Sequence, residues 1–149
     1  MTTVIILSIV GAVISAVIGT LWYSNKTPMG KLHMRYLGFD KLSPDEQKRK
    51  IEEAKPTMKK VYSAQMLLSF ITSLWVVFVV IMSMRNGVTV VAAYIFVLAS
   101  WLCFVVPTIG TALLWGNCDP KIVWKKFFYD ISYNLVNLLV IAVVASWFA

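Results

Sequence analysis

Polar and apolar positions along this chain fall into long blocks, with no short alternation. Four stretches are almost wholly apolar: Thr3 to Tyr23, Val61 to Met84, Val88 to Trp115 and Trp124 to Phe148. Each reaches the roughly 20 residues that an α-helix needs to cross a hydrocarbon core of about 30 Å. Barrel strands would instead show segments of about ten alternating residues, and none is present. The polar block from Ser24 to Lys60 opens with turn residues, Asn25, Pro28 and Gly30, which stop the first helix. KLHMRYLGF then suits a short amphipathic turn or helix on a membrane surface. SPDE is a helix start, with Ser43 as N-cap, Pro44 at the first position and Glu46 set for a capping box. The pattern predicts a short polar helix from Pro44 to about Lys55, with Pro56 opening the second long helix. Arg85-Asn86-Gly87 is a turn, so the second and third apolar helices form an antiparallel hairpin.

Composition sharpens this into a class. The 149 residues are 59% hydrophobic and only 14% charged, with mean hydropathy +0.75. A soluble domain carries roughly 25% charged residues, so the expected solvent is lipid. The predicted fold is an all-α integral membrane protein, a single domain over 1–149. It has four transmembrane helices and a short cytoplasmic helix between the first and second. The first stretch lacks the basic start and small-residue cleavage site of a signal peptide and is read as a retained helix.

The net charge of +7 would raise nucleic acid as a partner in a soluble protein. Its distribution points to topology instead, and no nucleic-acid partner is expected. Ten of the fourteen Lys and Arg lie between Ser24 and Lys60, three more are Lys121, Lys125 and Lys126, and Arg85 stands alone. The positive-inside rule puts 24–60 and 116–123 in the cytoplasm and both termini outside. Trp22, Tyr23, Tyr62, Trp115 and Trp124 mark the cytoplasmic boundary, and Trp147 the outer one. Cys103 and Cys118 have no metal or redox spacing, and a disulfide is not expected on the cytoplasmic side. His33, the lone histidine, lacks partners for a metal site and reads as a loop residue at the interface.

Candidate chemistry is confined to polar residues inside the apolar blocks. In the first helix Ser8, Gly11, Ser15 and Gly19 share one face, and Gly11, Ser15 and Gly19 carry the small-xxx-small spacing that lets backbones approach. This face serves either a dimer seam or packing within the chain. Pro107 removes a backbone hydrogen bond and tends to kink the third helix. The freed carbonyl asks for neighbours, so the face with Pro107 and Thr111 is expected to point inward. In the fourth helix Asp130, Asn134 and Asn137 follow i, i+4, i+7, with Tyr133 adjacent. With Leu138 near the bilayer centre, a rise of 1.5 Å per residue leaves Asp130 about 12 Å from it, close to the cytoplasmic boundary. There it can pair with Lys126, Lys121 or Lys125.

Two readings of this cluster compete. Intramembrane ionisable residues are costly and often functional, so Asp130, Tyr133, Asn134 and Asn137 suit a polar pocket or ion path. The asparagines also suit interhelical glue, bonding to Gln65, Ser69, Thr72, Thr108 or Thr111 at about 0.6–2 kcal/mol each. A proton relay wants acids near the midplane, and there are none. No histidine cluster, cysteine pair, nucleophile–base pair or phosphate-binding glycine loop is present, so neither an enzyme nor a cofactor is expected.

LWYS at the end of the first apolar stretch, WLCFVVPT in the third, the following Leu114-Trp115 and the closing ISYNLVNLLVIAVVASW resemble the domain of unknown function 1761 family. These are small bacterial and archaeal membrane proteins with four predicted helices, and the order and spacing cover nearly the whole chain. The chain departs from the family pattern at Asn25, where a proline is usual, at Cys103, often glycine, and at Gly116, where an acid follows the Leu-Trp pair. The resemblance implies the fold and no activity. The expected function is a non-catalytic accessory or stabilising subunit of a membrane complex, or a homo-oligomer, with membrane lipids and other subunits or copies of itself as partners. The alternatives are a small transporter or channel around Asp130, and an anionic-lipid-binding protein acting through the basic connection.

Overall fold

A computed structural model describes residues 1–114 and 119–149; Trp115, Gly116 and Cys118, singled out above, lie outside the described residues. Within them there is no strand, and four helices are long and apolar enough to cross a membrane. The first, α1 (Thr2–Trp22), is apolar nearly all round, and its small residues decide its packing. Ser8, Gly11 and Ser15 are buried. A Cβ on Gly11 would lie 2.8 Å from Ser73 Oγ, so glycine sets the close approach of this helix to its neighbour. The serine hydroxyls donate to Val4 and Gly11 carbonyls one turn back, which satisfies them within the helix.

The basic connection folds back on the bundle. Thr27 caps α2 (Pro28–Tyr36), accepting from the Gly30 amide at 3.0 Å, and Pro28 occupies the first turn, where its missing N–H is harmless. Gly30 is pressed against Ser24: a Cβ there would sit 2.0 Å from the Ser24 carbonyl oxygen. Gly38, at φ 74°, terminates the segment in a conformation that side chains disfavour. The 3-10 turn Phe39–Lys41 leads to Ser43, whose hydroxyl and backbone complete the capping box with Glu46.

From there one helix, α3 (Pro44–Arg85), runs for 42 residues. The expected break at Pro56 does not occur, and no separate short helix ends near Lys55. Proline removes one hydrogen bond and displaces the carbonyl four residues earlier. On this exposed stretch water can serve that carbonyl, so the helix continues. At 1.5 Å per residue α3 is about 63 Å long, twice the hydrocarbon thickness. Its first third stands clear of the bundle as a stalk.

A turn at Gly87, φ 78°, returns the chain into α4 (Val90–Ser100), capped by Thr89. A single π-helical turn, Trp101–Val105, separates it from α5 (Val106–Leu114). Pro107 therefore falls in the first turn of α5, just after a widened turn, where its missing donor breaks no regular run. Pro107 and Thr111 lie exposed, contrary to the expected inward face. The Thr111 hydroxyl donates to the Pro107 carbonyl at 2.8 Å, so local bonding replaces the neighbour that was called for.

The last helix, α6 (Pro120–Ser146), starts at an Asp119 cap and touches all five others. The core sits in the half of the bundle away from the basic connection, where Val4 of α1, Val76, Val80 and Ile81 of α3, Val97 of α4 and Ile141 of α6 interlock. In the other half α3 is exposed over residues 61–68, and α2 packs against α6.

Candidate functional site

The polar stripe of α6 meets the basic connection at the end of α1. Asp130 is the centre. Its Oδ1 accepts from the Tyr23 hydroxyl at 2.7 Å, and its Oδ2 accepts from Lys126 Nζ at 2.5 Å. The lysine and aspartate side chains are 10% and 15% exposed, so the pair is largely withdrawn from solvent. Helical spacing supplies Lys126, four residues before Asp130 on the same face. The fold supplies Tyr23, which is 107 positions away in sequence.

Aromatic rings close around this pair. Lys126 Nζ lies 5.7 Å from the Tyr23 ring centre and 5.2 Å from that of Tyr36, within the range in which a ring face attracts a cation. Tyr23 makes edge contacts with Tyr133 and with His33, both at 5.4 Å between ring centres. Trp22 leans on Tyr133 at 6.2 Å. The Tyr133 hydroxyl donates to the Ser15 carbonyl at 3.2 Å and rests over Gly19, where a Cβ would approach it to 3.1 Å. Gly19 and Ser15 thus seat the ring that α6 presents to α1.

His33 comes from α2, a helix, rather than from a loop. Burial lowers its pKa below the usual imidazole value, and the Lys126 charge lowers it further, against a smaller opposing pull from Asp130. The neutral ring is thus the form the fold favours. Among the described residues, its Nδ1 and the Trp22 Nε1 are buried without hydrogen-bond partners. Among the described residues no three His, Cys, Asp or Glu gather closely enough to hold a metal ion.

The other sequence candidates scatter. Asn134 turns back on its own helix and donates to the Asp130 carbonyl at 2.8 Å. Asn137 is buried deeper in the bundle, and among the described residues neither its Oδ1 nor Ser73 Oγ on α3 has a hydrogen-bond partner. Gln65 and Thr111 are exposed on α3 and α5 and do not join the cluster. Thr72 and Thr108 bond to carbonyls of their own helices. A hydroxyl finds the carbonyl one turn back without aligning two helices, and that option wins at each of these threonines. Sequence reading missed Tyr23, Tyr36 and Trp22 as members of the site. Trp22 and Tyr23 fit boundary aromatics by sequence, and the one available signal is that Tyr23 and the lysines fall at the same predicted depth as Asp130.

The arrangement holds a charge; it offers no open coordination. Both carboxylate oxygens are engaged by groups of the same chain, and the ammonium is enclosed by rings and the carboxylate. No curated protein and no solved structure matches the chain. A family model described as a protein of unknown function, DUF1761, matches residues 6–146.

Proposed function

We propose, for a chain that belongs to the DUF1761 family of proteins of unknown function, the role of a non-catalytic membrane subunit that assembles with other subunits. The observation that carries this reading is the closed valence of Asp130. A transport site must release and rebind its cargo, and intramembrane acids that do so face a cavity. Asp130 instead faces Tyr23 and Lys126 and clasps α6 to the end of α1. The surface left for function is helical: the exposed side of α3, and a third span of which only 11% is buried within the chain. Exposed helix faces of this extent are what a subunit presents to its neighbours.

In this reading the basic end of the bundle, 24–60 and 116–123, is cytoplasmic and both termini lie outside, on the strength of the lysine and arginine distribution. Mild-detergent extraction from native membrane, followed by native mass spectrometry, tests the role directly. Release with other subunits in fixed ratio supports it. Release of the chain alone rejects it.

A second reading rests on a different observation, the unpartnered Asn137 Oδ1 and Ser73 Oγ inside the bundle. Buried polar groups without partners are expensive, and a small polar solute passing between α3 and α6 would satisfy them. Asn137→Leu then abolishes flux in reconstituted liposomes while leaving Asp130→Asn active. Absence of any flux from the wild-type chain removes this reading.

A further inference from the structure

The exposed side of α3 carries a pattern that its own bundle does not use. Ile51, Ala54, Met58 and Val61 follow one another at three and four residues along the stalk. Gln65, Leu68, Thr72 and Trp75 continue the same alternation into the apolar part of the helix. This is the heptad spacing of a coiled-coil seam, with Gln65 at a position where one polar side chain fixes register. Within the chain most of the seam is bare: Val61, Leu68 and Trp75 are 59%, 58% and 55% exposed, while Ala54 and Met58 are half-buried. The residues that α3 gives to the core are others, among them Ser73, Val76, Val77 and Val80. From Ile51 to Trp75 the seam is about 36 Å long. At its far end it enters a groove of about 300 Å³ between α3 and the π turn, where Thr72 and Trp75 face Ser100 and Phe104.

Charge selects the occupant. Taking Ile51 as the first heptad position, Lys48, Lys50 and Lys55 flank the seam on its two sides. The acids of the stalk lie elsewhere: Asp45, Glu52 and Glu53 sit on the reverse face, and Glu46 is held by the Ser43 cap. Glu53 meets Arg49 at 3.7 Å and Glu52 meets Lys55 at 3.8 Å, in exposed pairs that water screens and that a partner's acid would replace at Lys55. Two copies of this chain share one topology, so their stalks would run parallel and bring Lys50 of one beside Lys55 of the other. Like charges in flanking positions disfavour that pairing.

We infer that the α3 seam is the docking track for one long helix of a different membrane subunit. That helix is apolar across the bilayer and carries Asp or Glu beside its own seam where it extends past the membrane. The inference rests on the subunit reading above and names the face and the partner's chemistry. One continuous helix of the partner would lie against the stalk, pass Gln65 at the boundary and fill the groove at Trp75.

The experiment places a benzophenone-bearing residue at Met58, Val61 or Leu68, and, as off-seam positions, at Glu53 or Lys60, in the full chain in its native membrane. After irradiation, the three seam positions are expected to yield one common protein adduct whose cross-linked peptides form a single helix with acidic residues flanking the contacts. Lys50→Glu with Lys55→Glu lowers the yield at least threefold, while Lys59→Glu with Lys60→Glu leaves it unchanged. An adduct of the chain with itself overturns the inference in favour of a second copy. Equal yields from Glu53 and Lys60, or lipid adducts alone, also overturn it. If native mass spectrometry shows a fixed-ratio complex and the seam gives no adduct, the docking track fails and the subunit role stands. Release of the chain alone defeats both.

Discussion

The clasp around Asp130 and the stalk of α3 lie at the same basic end of the molecule and treat charge in opposite ways. In the clasp a lysine and an aspartate are withdrawn from water, fixed at hydrogen-bond distance and walled by tyrosines. In the stalk the ion pairs are longer, and their side chains are 67% to 73% exposed. Exposed pairs contribute about 0–1 kcal/mol, whereas breaking a buried one leaves an uncompensated charge. The same residue types are therefore buried and structural in one region and exposed to solvent in the other.

The largest separation of the two regions should come from removing one acid in each. Asp130→Ala strands Lys126 and is expected to lower stability by about 3–5 kcal/mol, read as a drop in unfolding temperature of the detergent-solubilised chain. Glu53→Ala should change it by less than about 0.5 kcal/mol. Equal effects would erase the distinction. Next in size is Gly11→Ala, whose Cβ would meet Ser73 Oγ at 2.8 Å and Ser73 Cβ at 2.9 Å. Overpacking of this kind costs about 1–3 kcal/mol, and Ser73→Gly in the same chain should recover part of it. Tyr23→Phe removes one hydrogen bond to the carboxylate but keeps the ring beside Lys126, for about 1–2 kcal/mol by the same assay.

The smallest effect is in pH. The folded chain holds the His33 pKa below its ordinary 6.5, so as pH falls the unfolded state takes up the proton first. The contribution of neutral His33 is complete above about pH 6.5 and is lost as pH drops through and below that value. Unfolding temperature should decline from pH 7 to pH 5 more steeply for the wild type than for His33→Gln. Parallel declines would place the histidine outside the clasp's energetics.

Much of this architecture was legible in the residue pattern, because four apolar blocks of spanning length admit few other folds. The spacing of Asp130, Asn134 and Asn137 located the stripe, and Lys126 one turn earlier was among the partners it suggested. Tyr23 was not legible as a partner. Its place at the end of an apolar helix fits a boundary aromatic equally well, and only the packing of α1 on α6 brings it to the carboxylate. Pro56 misled for a physical reason: proline's penalty depends on whether water can reach the carbonyl it frees. Thr111 misled because a threonine's nearest acceptor lies on its own helix.

The π turn at Trp101–Val105 has a consequence for phase. Val97 of α4 and Leu113 of α5 are both buried, 16 residues apart. A regular helix advances 100° per residue, so over that interval the two would point about 160° away from each other. The wider turn winds more slowly and restores part of that angle, which lets one span lay both ends against the bundle. Trp101, at its start, pins the adjustment by donating from Nε1 to the Ile131 carbonyl at 3.0 Å. The turn acts as a vernier between two halves of one helix. Deleting a single residue within it would rotate α5 as a unit, carrying Gly110 off Phe127 and turning the exposed Pro107 and Thr111 to a different side of the bundle.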